Sequence, residues 1–326
     1  MKKIALLYFM GDSDKTCENN SGSIISIFFK WIFLPGLFGK LRRLIKIKLV
    51  MGEKIQVDSS LAIQGIKLPY TLEEFNNLGK AKKNRLDKII SKICSENSIT
   101  KCIMPAICSC SLKSCEKSNF DGKIVYTALA EYILNDLCEK KGFSIREIDI
   151  AVIQGEDDLL PYLIIKLLSP VVKFITLVTD QKESMDKKIE EICDETGLSV
   201  RITDNLEDVL KNCDLIINYG NIKINGIKYS IDSNSIIINY GELEDLLPEV
   251  KKTVICGIDI GLGDKYLQAF EKEIFKFYSS TEIAEIVLTN KKDENIDNLH
   301  NLLDLKTIES IKEYFIEEGF YVKGYL

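Results

Sequence analysis

The stretch IDIAVIQGEDDLLPYLIIKLLSP, residues 148–170, decides the fold. An apolar run, a short polar turn and a second apolar run outline a strand, a turn and a helix. In dinucleotide-binding sheets such a turn carries G-x-G-x-x-G, with glycines for the tight bend, for close approach of the pyrophosphate and for helix–strand packing. Here it reads Gly155, Glu156, Asp157, Asp158, Leu159, Leu160, so one glycine of three is kept. Three carboxylates stand where two phosphate charges would come. Acidic residues in a first helical turn stabilise the helix by themselves, each by about 0.3–1 kcal/mol. Asp157 or Asp158 therefore reads as an ordinary helix cap. A metal held by the acidic trio is the alternative, and no metal site is assigned. Gly155 remains the candidate cofactor residue.

Working outward, short apolar runs alternate with helical patterns. Residues 149–154, 174–179, 198–203, 213–219, 235–240 and 253–258 read as six strands, and helices separate the early ones. Strands alternating with helices imply βαβ units, so the fold class is α/β with a doubly wound, Rossmann-like parallel sheet. Asp180 follows the second strand, where an acidic residue would hold a ribose hydroxyl. Thr179–Asp180 equally suits a helix cap ahead of Glu183.

The N-terminal half reads as a smaller α/β domain. Residues 55–70 alternate like a strand pair turning near Gly65, and 71–97 read as one long helix opened by a Thr71/Glu74 capping box. A short strand near CIMPAI leads into a Cys-rich loop, and a helix over 125–142 ends at Gly142. Residues 23–50 form the most apolar segment, interrupted by Lys30 and Pro35, and within it Trp31 and several phenylalanines are followed by Lys40, Arg42, Arg43, Lys46 and Lys48. It suits a buried helix pair or an interfacial helix on an anionic membrane, and it is too broken to span one. No internal repeat or low-complexity linker is evident. The expected division is 1–146, 147–290 and a C-terminal helical segment 291–326 that packs back on the rest.

The chain has 326 residues, 46% hydrophobic and 28% charged, which is ordinary globular composition. Its net charge of −6 hides an asymmetry: residues 1–146 carry 24 basic against 14 acidic residues, and the remainder carries 19 against 35. An acidic C-terminal half argues against nucleic acid as a partner. Ten cysteines without a secretory leader fit a reducing cytoplasm, with membrane-peripheral placement as the variant that residues 23–50 suggest.

The order of these pieces resembles the long-chain acyl-(acyl carrier protein) reductases and their relatives, glutamyl-tRNA reductase and shikimate dehydrogenase. LPYTLEEF before a helix, GKIVYTALAEYIL (122–134), NCDLIINYGNIKINGIKYSIDSNSIIINYG (212–241) and STEIAEIVL carry the resemblance. It implies an acyl thioester formed on a cysteine and reduced by NADPH, with the nucleophile near Ser280, Thr281 or Glu282. No cysteine follows Cys256, so both essentials, nucleophile and cofactor turn, depart from that pattern. GLGDKYLQAFE (261–271) resembles the substrate-placing segment of shikimate dehydrogenases, which makes Gly261, Gly263 and Gln268 candidate ligand residues.

KCIMPAICSCSLKSCEK places Cys102, Cys108, Cys110 and Cys115 together, with spacing that matches no familiar zinc or iron–sulfur pattern. Nearby lysines could depress a thiol's pKa. Cys108 and Cys110 are thus the candidate catalytic cysteines if chemistry survives, and a purely structural loop and a cluster binding a soft metal are the alternatives. His300, the only histidine, reads as a surface residue. The expectation is a diverged acyl-reductase-like protein binding an acyl or other small ligand, with an acyl carrier protein as a candidate partner. One alternative is an oxidoreductase using NADPH or NADH and a loop cysteine; otherwise no cofactor is expected. The other is a membrane-peripheral interaction protein.

Overall fold

A computed structural model describes residues 1–10, 49–156, 158–223, 235–244, 254–291 and 304–326. Residues 23–48 of the apolar segment, Asp157 and His300 lie outside them. The first strands are Lys2–Phe9 (β1), Val50–Gln56 (β2) and Leu61–Leu68 (β3), followed by helices Leu72–Asn76 (α1) and Lys80–Glu96 (α2). Lys101–Met104 (β4) and Glu116–Lys117 (β5) precede helices Lys123–Ala128 (α3) and Ala130–Lys141 (α4). Then come Ile150–Ile153 (β6), Leu159–Leu168 (α5), Phe174–Val178 (β7), Lys182–Thr196 (α6), Ser199–Thr203 (β8), Leu206–Asn212 (α7) and Leu215–Asn218 (β9). Short strands Asn221–Lys223 (β10), Ile236–Asn239 (β11), Glu242–Glu244 (β12), Val254–Ile255 (β13) and Ile258–Gly261 (β14) continue the chain. It closes with helices Asp264–Ala269 (α8), Ser280–Asn290 (α9) and Leu305–Glu317 (α10) and strand Tyr321–Tyr325 (β15).

Two compact units result, each discontinuous in sequence: residues 1–120 with 262–293, and residues 121–261 with 294–326. The boundary at 121 differs from the expected 146 because α3 and α4 pack with the second unit, where α4 lies on α5. The C-terminal segment is not purely helical: after α10, β15 pairs antiparallel with β14.

In the first unit the sheet order is β2-β3-β1-β4-β5, parallel except for the hairpin of β2 with β3. The central strand β1 is buried from Ile4 to Phe9. A strand covered on both faces reads as a continuous apolar run rather than an alternation. The hairpin turns at Asp58, whose carboxylate accepts the N–H groups of Ser60 at 2.7 Å and Leu61 at 2.9 Å. Gly65 lies inside β3, not at the turn, and a β-carbon there would meet the Tyr8 ring at 2.9 Å. The capping box at Thr71 and Glu74 forms, but the long helix breaks before Gly79, which caps α2. Phe9, Leu68, Phe75, Ile90 and Met104 anchor the core.

In the second unit six parallel strands lie in the order β8-β7-β6-β9-β11-β13 among the described residues. Numbered along the chain this is 3-2-1-4-5-6, the doubly wound Rossmann order. The fold is therefore α/β with a Rossmann-like parallel sheet, and each of the six strands read from the sequence takes its place in it. β6, at the centre, is buried throughout. The helix expected over 125–142 is interrupted at Leu129, and its C-terminal half ends at Gly142 in the left-handed conformation, φ 74°.

Candidate functional site at the carboxyl edge of the Rossmann-like sheet

Ligands of doubly wound sheets bind outside the carboxyl ends of the strands, where the winding reverses. Here that point lies between β6 and β9, and it is bounded by Gln154–Gly155 and Tyr219–Gly220. The two chain ends are in backbone contact. A β-carbon on Gly155 would lie 2.4 Å from the Tyr219 carbonyl oxygen, and one on Gly220 would lie 2.6 Å from the Gln154 carbonyl oxygen. The surviving glycine of the turn is thus explained by close strand-to-strand approach and needs no phosphate to account for it.

The rest of the turn is poorly made for phosphate. Leu160 occupies the third glycine position with 4% exposure. Pro161, the third residue of α5, has no N–H to offer. Asp158 stands at the N-cap position, but its side chain makes no capping bond. Its carboxylate instead pairs with Lys188 at 2.6 Å. That corrects the capping role expected of Asp158. Glu156 is exposed on the same turn. Its charge would repel a phosphate brought to this turn.

Asp180 is exposed, one residue short of the helix cap Gln181. The Thr179 hydroxyl accepts the Gln181 N–H at 2.9 Å in the turn before the helix, and no side chain caps the helix, so neither Thr179 nor Asp180 fills the expected capping role. Between these turns lies Gln154. Its Nε2 donates weakly to Gln181 Oε1 at 3.4 Å. Its own Oε1 is buried and has no hydrogen-bond partner, the single such side-chain atom among the described residues. Burying an unsatisfied acceptor costs about 1–3 kcal/mol, so this atom is poised to accept a donor.

On the other side of the switch point the chain repeats itself. Ile-Ile-Asn-Tyr-Gly occurs at 216–220 and again at 237–241, a repeat the sequence reading missed. The copies lie side by side in register, Asn218 opposite Asn239. Asn218 Nδ2 donates to Asn239 Oδ1 at 2.7 Å, and Asn218 Oδ1 accepts the Gly220 N–H at 3.0 Å. Asn239 Nδ2 donates to the Gly241 carbonyl at 3.0 Å. A β-carbon on Gly241 would overlap the Gly220 carbonyl. These contacts turn both chains sharply over the sheet edge and carry their tyrosines with them.

Tyr240 stacks on Tyr126 of α3 at 5.0 Å between ring centroids, and Tyr219 tilts against Tyr240 at 5.3 Å. The Thr127 hydroxyl donates to the Lys123 carbonyl at 2.8 Å, which leaves Tyr219 as donor in its 2.9 Å bond to Thr127. Burial, with Tyr219 and Tyr126 nearby, pushes the Tyr240 hydroxyl well above the ordinary phenol range. Tyr126, Tyr219 and Tyr240 thus form one aromatic cluster at this strand edge.

The other candidates fall elsewhere. Gly261 ends β14, where a β-carbon would collide with the Tyr321 ring. Gly263 caps α8, and Gln268 is exposed on that helix. Gly261 belongs to the second unit and the other two to the first. Cys108 is buried in the core of the first unit, and burial pushes its thiol up to about 12, opposite to the lowering expected from the lysines. Cys110 packs half-buried against the same core. Of the positions where the resemblance puts a nucleophile, Glu282 accepts a short hydrogen bond from Ser118, and burial raises its carboxyl pKa.

No protein-family model matches the chain, and no curated protein matches its sequence. Among solved structures, it is similar to shikimate 5-dehydrogenase from Listeria monocytogenes, with 10% identity, 93% and 96% of the two chains covered, and a TM-score of 0.31. L-Tryptophan dehydrogenase from Nostoc punctiforme gives 11% identity, 77% and 68% coverage and a TM-score of 0.34. Aspartate transcarbamoylase from Trypanosoma cruzi gives 13% identity, 76% coverage of both chains and a TM-score of 0.32. Scores this low carry no functional argument, and the Rossmann-like assignment rests on the strand order itself.

Proposed function

We propose that this chain is a small-ligand-binding protein on a Rossmann-like sheet that does not hold NADPH or NADH in the usual pose. The observation that carries the reading is the buried, unpartnered Oε1 of Gln154 at the carboxyl end of β6. It calls for a ligand with a hydrogen-bond donor, beside a turn whose carboxylates and missing N–H disfavour phosphate. An acyl group carried on an amide-bearing arm supplies both the donor and the apolar chain. The acyl class itself comes from the resemblance of residues 122–134 and 212–241.

The reductase alternative draws less support, because Cys108 is buried with a raised pKa and is a poor thiolate nucleophile. The membrane reading concerns residues 23–50, nearly all outside the described residues. The direct test is a melting screen with acyl-pantetheines of increasing chain length, run on the wild type and on Gln154→Leu. A shift that grows with chain length and disappears in the variant supports the reading. A wild type indifferent to every acyl-pantetheine rejects it.

A further inference from the structure

We propose that Cys94, Cys102 and Cys115 form a redox-active thiol relay that takes a small disulfide as its oxidant and closes a Cys102–Cys115 bridge. The three come from a helix, a strand and a loop of the first unit and converge at the edge of its core. Cys102 is on β4, one residue before Ile103, which pairs with Glu116 of β5 in parallel register. Cys115 precedes Glu116, so the two cysteines face each other across neighbouring strand positions. Such strands run about 4.8 Å apart, inside the span a disulfide bridges between α-carbons. Their sulfurs are 3.4 Å apart, with the thiols hydrogen-bonded and both cysteines free.

Cys94, on α2, packs against the same core cluster as Cys102. The loop that carries Cys115 is pinned to the same helix: Asp87 Oδ1 accepts the Ser114 N–H at 2.9 Å and the Ser114 hydroxyl at 2.7 Å. The roles follow from access and protonation. Cys94 is half-buried and so reachable, and the neighbouring Cys102 thiol lowers its pKa against the burial that raises it. Cys102 is 4% exposed, and contact with the Cys115 and Cys94 thiols, together with burial, holds its pKa well above the ordinary thiol range. The thiolate is the attacking species in exchange, so Cys94 is the entry point.

The steps balance. The Cys94 thiolate attacks one sulfur of the small disulfide, forming a mixed disulfide and expelling the other half as a thiolate. The Cys102 sulfur attacks Cys94 Sγ and releases the second half, the Cys102 proton going to the departing thiolate. The Cys115 sulfur then attacks Cys102 Sγ, its proton passing to the freed Cys94, and the Cys102–Cys115 bridge is left. In sum, one small disulfide is reduced to two thiols and two protein thiols are oxidised. No group of three ligands among the described residues is arranged to hold a metal ion.

The test uses the reduced full-length protein and oxidised glutathione under native conditions. Free thiols are then alkylated in denaturant and the peptides mapped by mass spectrometry. The expected result is transient glutathione on Cys94, then a Cys102–Cys115 bridge that dithiothreitol reverses. In Cys94→Ser, a change at a half-buried position, bridge formation slows by about tenfold or more for loss of the entry thiolate. Cys102 and Cys115 remaining alkylatable while exposed Cys256 is glutathionylated would overturn the proposal. So would a Cys94→Ser protein that bridges at the wild-type rate.

Discussion

The carbonyl oxygen of Tyr219 stands 2.4 Å from where a β-carbon on Gly155 would lie, so the strand ends meet across the winding switch of the sheet. The backbone itself fills the space a side chain would need. The glycine that suggests a dinucleotide turn is therefore required by packing alone. Gly155→Ala forces backbone to move against backbone and should destabilise the protein by about 1–3 kcal/mol. Urea unfolding checks this, and an unchanged midpoint would show that the ends are free to part.

Asn218 is fully buried and serves three partners, Asn239, the Gly220 N–H and the Gly220 carbonyl. Asn218→Leu keeps the volume but strands the Gly220 N–H, for a loss of about 1–3 kcal/mol. The equivalent change at Tyr219, Tyr219→Phe, removes only a hydroxyl bonded to Thr127 and should cost about 0.5–1.5 kcal/mol. The same unfolding experiment ranks them, and a Tyr219→Phe loss exceeding that of Asn218→Leu would contradict the assigned roles.

The strands were legible because central parallel strands bury both faces and so stand out as unbroken apolar runs, as Ile150–Ile153 and Ile236–Asn239 do. Their lateral order was legible only as a class, through the alternation with helices. What escaped is non-local. The twin Ile-Ile-Asn-Tyr-Gly is too short to register as a structural repeat, and its meaning lies in the pairing of Asn218 with Asn239. Spacing within one loop groups Cys102 with Cys115, whereas Cys94 joins the same core cluster from a helix earlier in the chain. The lysines near Cys108 suggest a lowered thiol pKa, but burial outweighs them. Gly65 looked like a turn residue because its reason, the Tyr8 ring on the adjacent strand, is not local.

Glu282 gives a pH prediction with a definite sign. Burial raises its carboxyl pKa above the ordinary 4.5, against the Ser118 and Ser279 hydrogen bonds that lower it. An acid with a raised folded pKa releases its proton first in the unfolded chain. Folding stability from this group is therefore intact below 4.5 and falls as pH rises from there through the folded value. Glu282→Gln removes that fall, so the stability of the variant relative to wild type should increase from pH 4 toward neutrality. A difference independent of pH would show that the carboxyl does not titrate in this window.

The central claim is that the Rossmann-like sheet is kept while its phosphate turn is not. Thermal melting of the purified chain with NADPH and, separately, NADH at millimolar concentration tests it most directly. A ligand at about 100 times its dissociation constant adds about 2.7 kcal/mol to stability, which a melt resolves. The account predicts no shift with either cofactor. A clear, saturable shift that Gly155→Ala abolishes would contradict it and would place a dinucleotide on the acidic turn.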